Sequence, residues 1–152
     1  MSGPCDSPDI GNGNVEILHA SCVAYHSRAV LILGASASGK SALALQLMAL
    51  GAELVADDRT ELRLVADQIM ADVPPTISGL IEARGIGILN AVPAGATPVT
   101  MVIDMNRKEQ TRLPEPQSTL LLGRRLPLIY SVDAPFFPAA VLQMLAQGRH
   151  DA

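Results

Sequence analysis

The chain has 152 residues, a formal net charge of −4 at pH 7, 49% hydrophobic and 17% charged residues, and two cysteines. That length fits one domain with a substantial hydrophobic core, and the acidic balance excludes a general electrostatic grip on nucleic acid. Cys5 and Cys22 make no disulfide framework, which fits a reduced cytoplasm. Residues 1–13, rich in Gly, Pro, Ser and Asp, read as a flexible leader, and 14–152 as a single domain. The N-terminus lacks the basic head and apolar run of a signal peptide. No later apolar stretch reaches membrane-spanning length, so a soluble protein with no membrane contact is expected.

Val15 to Ala20, Ser21 to Tyr25 and Ala29 to Leu33 read as strands, with His26-Ser27-Arg28 as the turn before the third. A small-residue loop, Gly34 to Gly39, feeds a helix from about Lys40 to Leu50, apolar on nearly all sides and stopped at Gly51, so this helix is expected to be buried. Glu53 to Ala56 form the next strand, and Glu61 to Ala66 with Gln68 to Ala71 a hairpin turning at Asp67. Pro93 to Pro98 and Asn106 to Ser118 read as linkers, the second as a mobile loop covering a site. Strands are expected at Val99 to Met105 and Pro127 to Val132. Asp133 then caps a last helix, Ala134 to Gln147, with Pro135 in its first turn.

The strongest chemical signal is G-A-S-A-S-G-K-S, Gly34, Ala35, Ser36, Ala37, Ser38, Gly39, Lys40 and Ser41, a full G-x-x-x-x-G-K-[ST] match between a strand and a helix. Small residues let backbone N–H groups converge on phosphate oxygens at a helix N-terminus. Lys40 is suited to the β- and γ-phosphates of ATP, and Ser41 offers its hydroxyl to Mg²⁺. Asp57-Asp58 stands where the apolar strand Leu54-Val55-Ala56 ends. One carboxylate there suits a metal beside a phosphate loop. Alternate strand residues face opposite sides, so only one of the two need face the phosphates, and a facing carboxylate is also able to take a proton from an attacking hydroxyl. A solvated acidic turn paired with Arg59 is the plain alternative. Similarly, Arg84-Gly85-Ile86-Gly87 fits a strand bulge, and His19 a strand-end histidine. His26 and His150 read as surface residues.

Three segments, "LHASCVAYHSRAVLILGASASGKSALAL", "GAELVADDR" and "IEARGIGILN", resemble the catalytic C-terminal domain of HPr kinase/phosphorylase. The resemblance rests on His19, the loop Gly34 to Ser41, Asp57-Asp58 and Glu82-x-Arg84-Gly85-x-Gly87, and covers residues 16–90 with a weaker match to about 145. It implies a kinase that uses ATP and Mg²⁺ to phosphorylate a serine of HPr, the phosphocarrier of the bacterial phosphotransferase system, and in many members the reverse phosphorolysis. Carried over, Asp57 takes the serine proton, Ser41 and Glu82 hold Mg²⁺, His19 sits beside the carboxylates, and Arg112 stabilises the transferring phosphoryl group. The family is commonly hexameric, so a homo-oligomer is implied. Ala35 and Ala42 replace the Asp and Glu of many members, and the separate N-terminal domain of longer members is missing, as in short proteobacterial forms. The implied fold is α/β, a P-loop nucleotide-binding core with a mixed sheet, shared with phosphoenolpyruvate carboxykinases. Directly successive strands in the sequence likewise call for antiparallel hairpins.

The same loop also suits a small-molecule kinase or a non-catalytic nucleotide-binding regulatory module. Asp57 and Glu82 together weigh against the second. Adjacent aromatics, Phe136 and Phe137, cannot both face one core from a regular helix, so one is expected inside and the other at least partly outside, available to anchor a partner.

Overall fold

The computed structural model describes residues 15–150; the expected leader and Cys5 lie outside that range. In chain order the elements are β1 (Val15–Leu18), β2 (Ala20–Tyr25), β3 (Arg28–Leu33), α1 (Lys40–Ala49), β4 (Glu53–Ala56), β5 (Thr60–Val65), β6 (Gln68–Asp72), a 3-10 turn (Pro75–Ile77), β7 (Leu80–Ala83), β8 (Gly87–Asn90), β9 (Thr97–Lys108), β10 (Gln117–Leu121), β11 (Arg124–Ser131) and α2 (Phe137–Gln147).

Among the described residues nine strands form one mixed sheet in the order β1-β5-β6-β9-β3-β2-β4, with β11 also on β9 and β10 on β11; β7 and β8 make a separate hairpin. The long β9 organises the sheet. Its first residues, Thr97 and Pro98, run antiparallel to β6. Val99 to Asp104 then run parallel to β3, and Val102 to Asp104 parallel to β11 on the other side. The expected mixed α/β sheet with direct hairpins is therefore present.

Both faces of the central strands are covered, which explains the unbroken apolar run of β3. One face, with Val23, Val30, Ile32, Met101 and Ile103, packs on Leu43 and Leu47 of α1 and on Phe137, Val141, Leu142 and Leu145 of α2. The other, with Cys22, Leu31, Val55 and Val102, packs on Leu62, Ile69 and Ala71 of the β5–β6 hairpin. Burial pushes the Cys22 thiol well above its usual range.

Several expected boundaries differ. The first strand breaks at His19, and β2 begins at Ala20. α1 is half covered, because Ala42, Gln46, Ala49 and Leu50 face outward. Arg84 to Ile86 form the tight turn of the β7–β8 hairpin, closed by Ile86 N–H donating to Ala83 O at 2.9 Å, rather than a bulge. The segment 106–118 is not all loop: β9 continues to Lys108 and β10 starts at Gln117. The last helix begins at Phe137, not Ala134, and no side chain caps it. Asp133 instead faces Lys108 Nζ at 3.3 Å, so its carboxylate is engaged elsewhere. Phe137 is buried and Phe136 is 63% exposed. Among the described residues no helix is long and apolar enough to cross a membrane.

Candidate active site

The loop Gly34 to Gly39 connects the end of β3 to α1, as its composition predicts. A Cβ on Gly34 would lie 2.4 Å from Ser38 Oγ and 3.0 Å from Met105 Cβ, so only glycine fits there. Gly39, at φ 101°, turns the chain into the helix. Ser38 N–H donates to Ala35 O at 3.0 Å and tightens the loop. Asn106, near the end of β9, accepts the Ala35 N–H at 2.9 Å and ties the loop to the central strand.

Lys40 is 6% exposed. Its ammonium donates to Gly34 O at 2.7 Å and Ala35 O at 3.1 Å, folded onto the carbonyls of the loop it follows. The first-turn N–H groups of α1 have no acceptor within the helix. Ser38 Oγ is buried with no hydrogen-bond partner among the described residues. A glycine-dependent loop with a buried cation, helix N–H groups lacking helical acceptors and an orphaned hydroxyl fits the phosphates of a nucleotide.

Asp57, at the end of β4, is 8% exposed. Ser41 Oγ donates to its Oδ1 at 2.6 Å and Ser21 Oγ to the same oxygen at 2.9 Å. The Glu82 N–H donates to its Oδ2 at 3.0 Å. Joining the phosphate-loop hydroxyl to a carboxylate is the arrangement that suits Mg²⁺, which keeps most of its ligands as water and phosphate oxygens. Among the described residues there is no group of three or more His, Cys, Asp or Glu placed to hold a metal alone. A site completed by phosphates needs none.

Asp58 is placed differently. It has φ 68°, and its carboxylate, 58% exposed, faces His19 Nε2 at 2.5 Å. The doubled Asp thus divides into a buried, triply bonded carboxylate beside Ser41 and an accessible one paired with His19. The expectation that Asp57 takes the proton meets a geometric difficulty, since Asp57 is the enclosed member of the pair. Glu82 touches Asp57 through its backbone amide, while its own side chain lies on the exposed face of β7. Arg112 is not brought to the loop. It is exposed and borders a cavity of about 420 Å³ between residues 109–117, β11 and α2, together with Tyr130, Phe136 and Arg149.

Sequence reasoning missed Ser21 and Asn106. A serine inside an apolar strand reads as core, and Asn106 follows the expected strand, so neither carries a local signal.

A glycine-shaped loop at the C-terminal end of a central strand, followed by a helix and with its serine bonded to an acidic strand end, is the geometry of a P-loop core. A sequence model described as the HPr Serine kinase C-terminal domain matches residues 13–113. The chain belongs to that family. It is similar to the HPr kinase/phosphorylase of Lacticaseibacillus casei, 34% identical over 148 residues, 80% of this chain and 46% of that protein. It is also similar to HPr kinase/phosphorylase 1 of Oceanobacillus iheyensis, 42% identical over 76 residues, 49% of this chain and 24% of that protein. The chain therefore spans less than half the length of these relatives. A solved structure of the Hpr(Ser) kinase/phosphatase from Coxiella burnetii aligns with a TM-score of 0.73 over 86% of this chain and 88% of that one, at 23% identity. That likeness is one of fold.

Proposed function

We propose that this chain is an ATP-dependent kinase that phosphorylates a serine of HPr, and that in a second reaction inorganic phosphate takes the phosphoryl group from the phosphoserine and leaves as pyrophosphate. The observation that carries the reading is the 2.6 Å bond from Ser41 to Asp57, set beside a second, accessible carboxylate paired with His19. Nucleotide binding alone needs the first feature only. A transfer reaction needs both, because the phosphates must be neutralised and the attacking hydroxyl oriented.

In this reading the loop N–H groups and Lys40 hold the β- and γ-phosphates, and Ser41 with Asp57 holds Mg²⁺, with Glu82 as an outer partner. The metal supplies charge neutralisation on the phosphate oxygens. Asp58, rather than Asp57, accepts the proton of the HPr serine, and His19 orients it. In the second reaction, Asp58 returns the proton to the leaving serine oxygen. Arg112 reaches the transferring group only if the segment 109–116 moves. Phe136 and the adjoining cavity are the surface on which the folded substrate docks. A cytoplasmic location follows from the use of ATP and HPr, and a homo-oligomer, hexameric as the resemblance implies, belongs to the same proposal.

The test is direct. Purified protein, Mg-ATP and HPr are mixed and HPr is read by mass spectrometry, with a single phosphoserine expected. No transfer while ATP demonstrably binds would sink the kinase reading and favour a small-molecule kinase or a regulatory module.

A further inference from the structure

We propose that Ser21 is a positioning residue that holds the two carboxylates of the site in fixed register with each other. It lies on β2, is fully buried, and touches both: its hydroxyl donates to Asp57 Oδ1 at 2.9 Å and accepts the Asp58 N–H at 3.3 Å. Its sequence neighbours Ala20, Cys22 and Val23 are core residues. A hydroxyl in such surroundings is costly unless bonded, and among the described residues its side-chain bonds run to the doubled Asp alone.

The backbone gives the hydroxyl its task. Asp58 sits in the left-handed region, which aspartate tolerates better than most residues yet still occupies at a cost, so the bonds around it help hold it there. Its backbone is bonded at few points: Ala20 N–H donates to Asp58 O at 3.1 Å, Arg59 N–H to Asp57 O at 2.8 Å, and Ser21 Oγ takes the Asp58 N–H, while His19 meets only the exposed carboxylate. On the metal side, Ser41 and Ser21 share one oxygen of Asp57. With Ser41 engaged on a metal, Ser21 would still hold that carboxylate oxygen. One oxygen atom thus restrains the side chain of Asp57 and the backbone of Asp58 together, and its loss loosens both. An apolar residue of the same bulk would fill the core equally well and restrain neither.

This inference rests on the kinase reading for its consequence in turnover, but not for its geometry. The test compares Ser21→Ala, Ser21→Thr and Ser21→Val in the intact chain. Thr and Val have nearly the same bulk and differ in the hydroxyl, and Ala removes only the oxygen from a site that then cannot clash. Loss of an outer partner of a metal-site carboxylate typically costs about 10- to 100-fold in activity or metal affinity. Ser21→Ala is therefore expected to lower kcat for HPr phosphorylation by about tenfold or more, leave KM for HPr unchanged, and raise the Mg²⁺ concentration needed for half-maximal stabilisation by ATP. Ser21→Thr is expected to restore both readouts and Ser21→Val to behave like Ser21→Ala. If Ser21→Thr and Ser21→Val behave alike, or if Ser21→Ala has wild-type turnover and Mg²⁺ dependence, Ser21 is only core filling. Should the wild-type chain transfer nothing to HPr, the kinase reading fails, while the Mg²⁺ dependence of ATP stabilisation still decides the role of Ser21.

Discussion

Replacing Asp58 with Asn separates its chemistry from its place in the fold. Asn accepts left-handed backbone readily, so the φ of 68° at this position survives. What is lost is the charge facing His19, in a pair whose side chains are 51% and 58% exposed. Exposed pairs of this kind contribute about 0–1 kcal/mol. The fold should therefore lose no more than about 1 kcal/mol, a fall of about 2–4 °C in Tm for a chain of this size. The chemical step is another matter. A positioned proton acceptor contributes about 10²- to 10⁴-fold, which at 1.36 kcal/mol per tenfold is about 3–5 kcal/mol of barrier. Single-turnover transfer from saturating Mg-ATP to HPr, followed by mass spectrometry, reads that loss, and thermal shift with Mg-ATP should remain close to wild type. A transfer rate near that of wild type would refute the assignment of the proton to Asp58.

Asp57→Asn should behave in the opposite way: its amide is able to turn so that oxygen faces the Glu82 N–H and nitrogen faces the two serine hydroxyls, so folding survives while the Mg²⁺ requirement for ATP stabilisation rises by about 10- to 100-fold. Lys40→Ala should leave the protein folded yet remove most of the Tm increase that Mg-ATP produces in wild type; an unchanged increase would exclude Lys40 as a phosphate ligand. Gly34→Ala should abolish the same shift, since its Cβ would displace Ser38 Oγ from 2.4 Å, and retained binding would show that the loop relaxes. The folded-state pKa of Cys22 is raised by burial, so the unfolded chain loses that proton first as pH rises. Its contribution is present below the unfolded thiol value and is lost above it, so urea titrations should show stability falling above about pH 9 in wild type and less in Cys22→Ala.

The phosphate loop was legible because its requirements are local: glycines at a close approach, a lysine and serine at the start of a helix, an apolar strand before them. The hairpin β10–β11 was not. Gln117 to Leu121 is polar and largely exposed, and it becomes a strand by pairing with β11, which no neighbour in sequence announces; Pro127 inside β11 further obscured the pattern. The last helix was misplaced by three residues because Asp133 looks like a cap until Lys108, distant in sequence, engages it. The doubled Asp was visible as a feature, but its separation into a buried and an accessible carboxylate accompanies one backbone angle at Asp58, which leaves no trace in composition or spacing.

The central strand arrives late. β9 starts at Thr97 and lies between β3, which ends at Leu33, and β6, which ends at Asp72. His19, the phosphate loop, both aspartates and the Arg84–Gly87 turn therefore all leave the ribosome before the strand that joins their halves of the sheet. A nascent chain halted near Asn90 holds every motif residue except Arg112, yet has no partner for the inner edges of β3 and β6. Unpaired edges of that kind invite pairing with other chains. Closure must await contacts of long sequence separation, which slows folding. Synthesis of residues 97–131 thus sets when the sheet that carries the signature closes, and truncation after the signature should yield aggregation rather than a minimal folded unit.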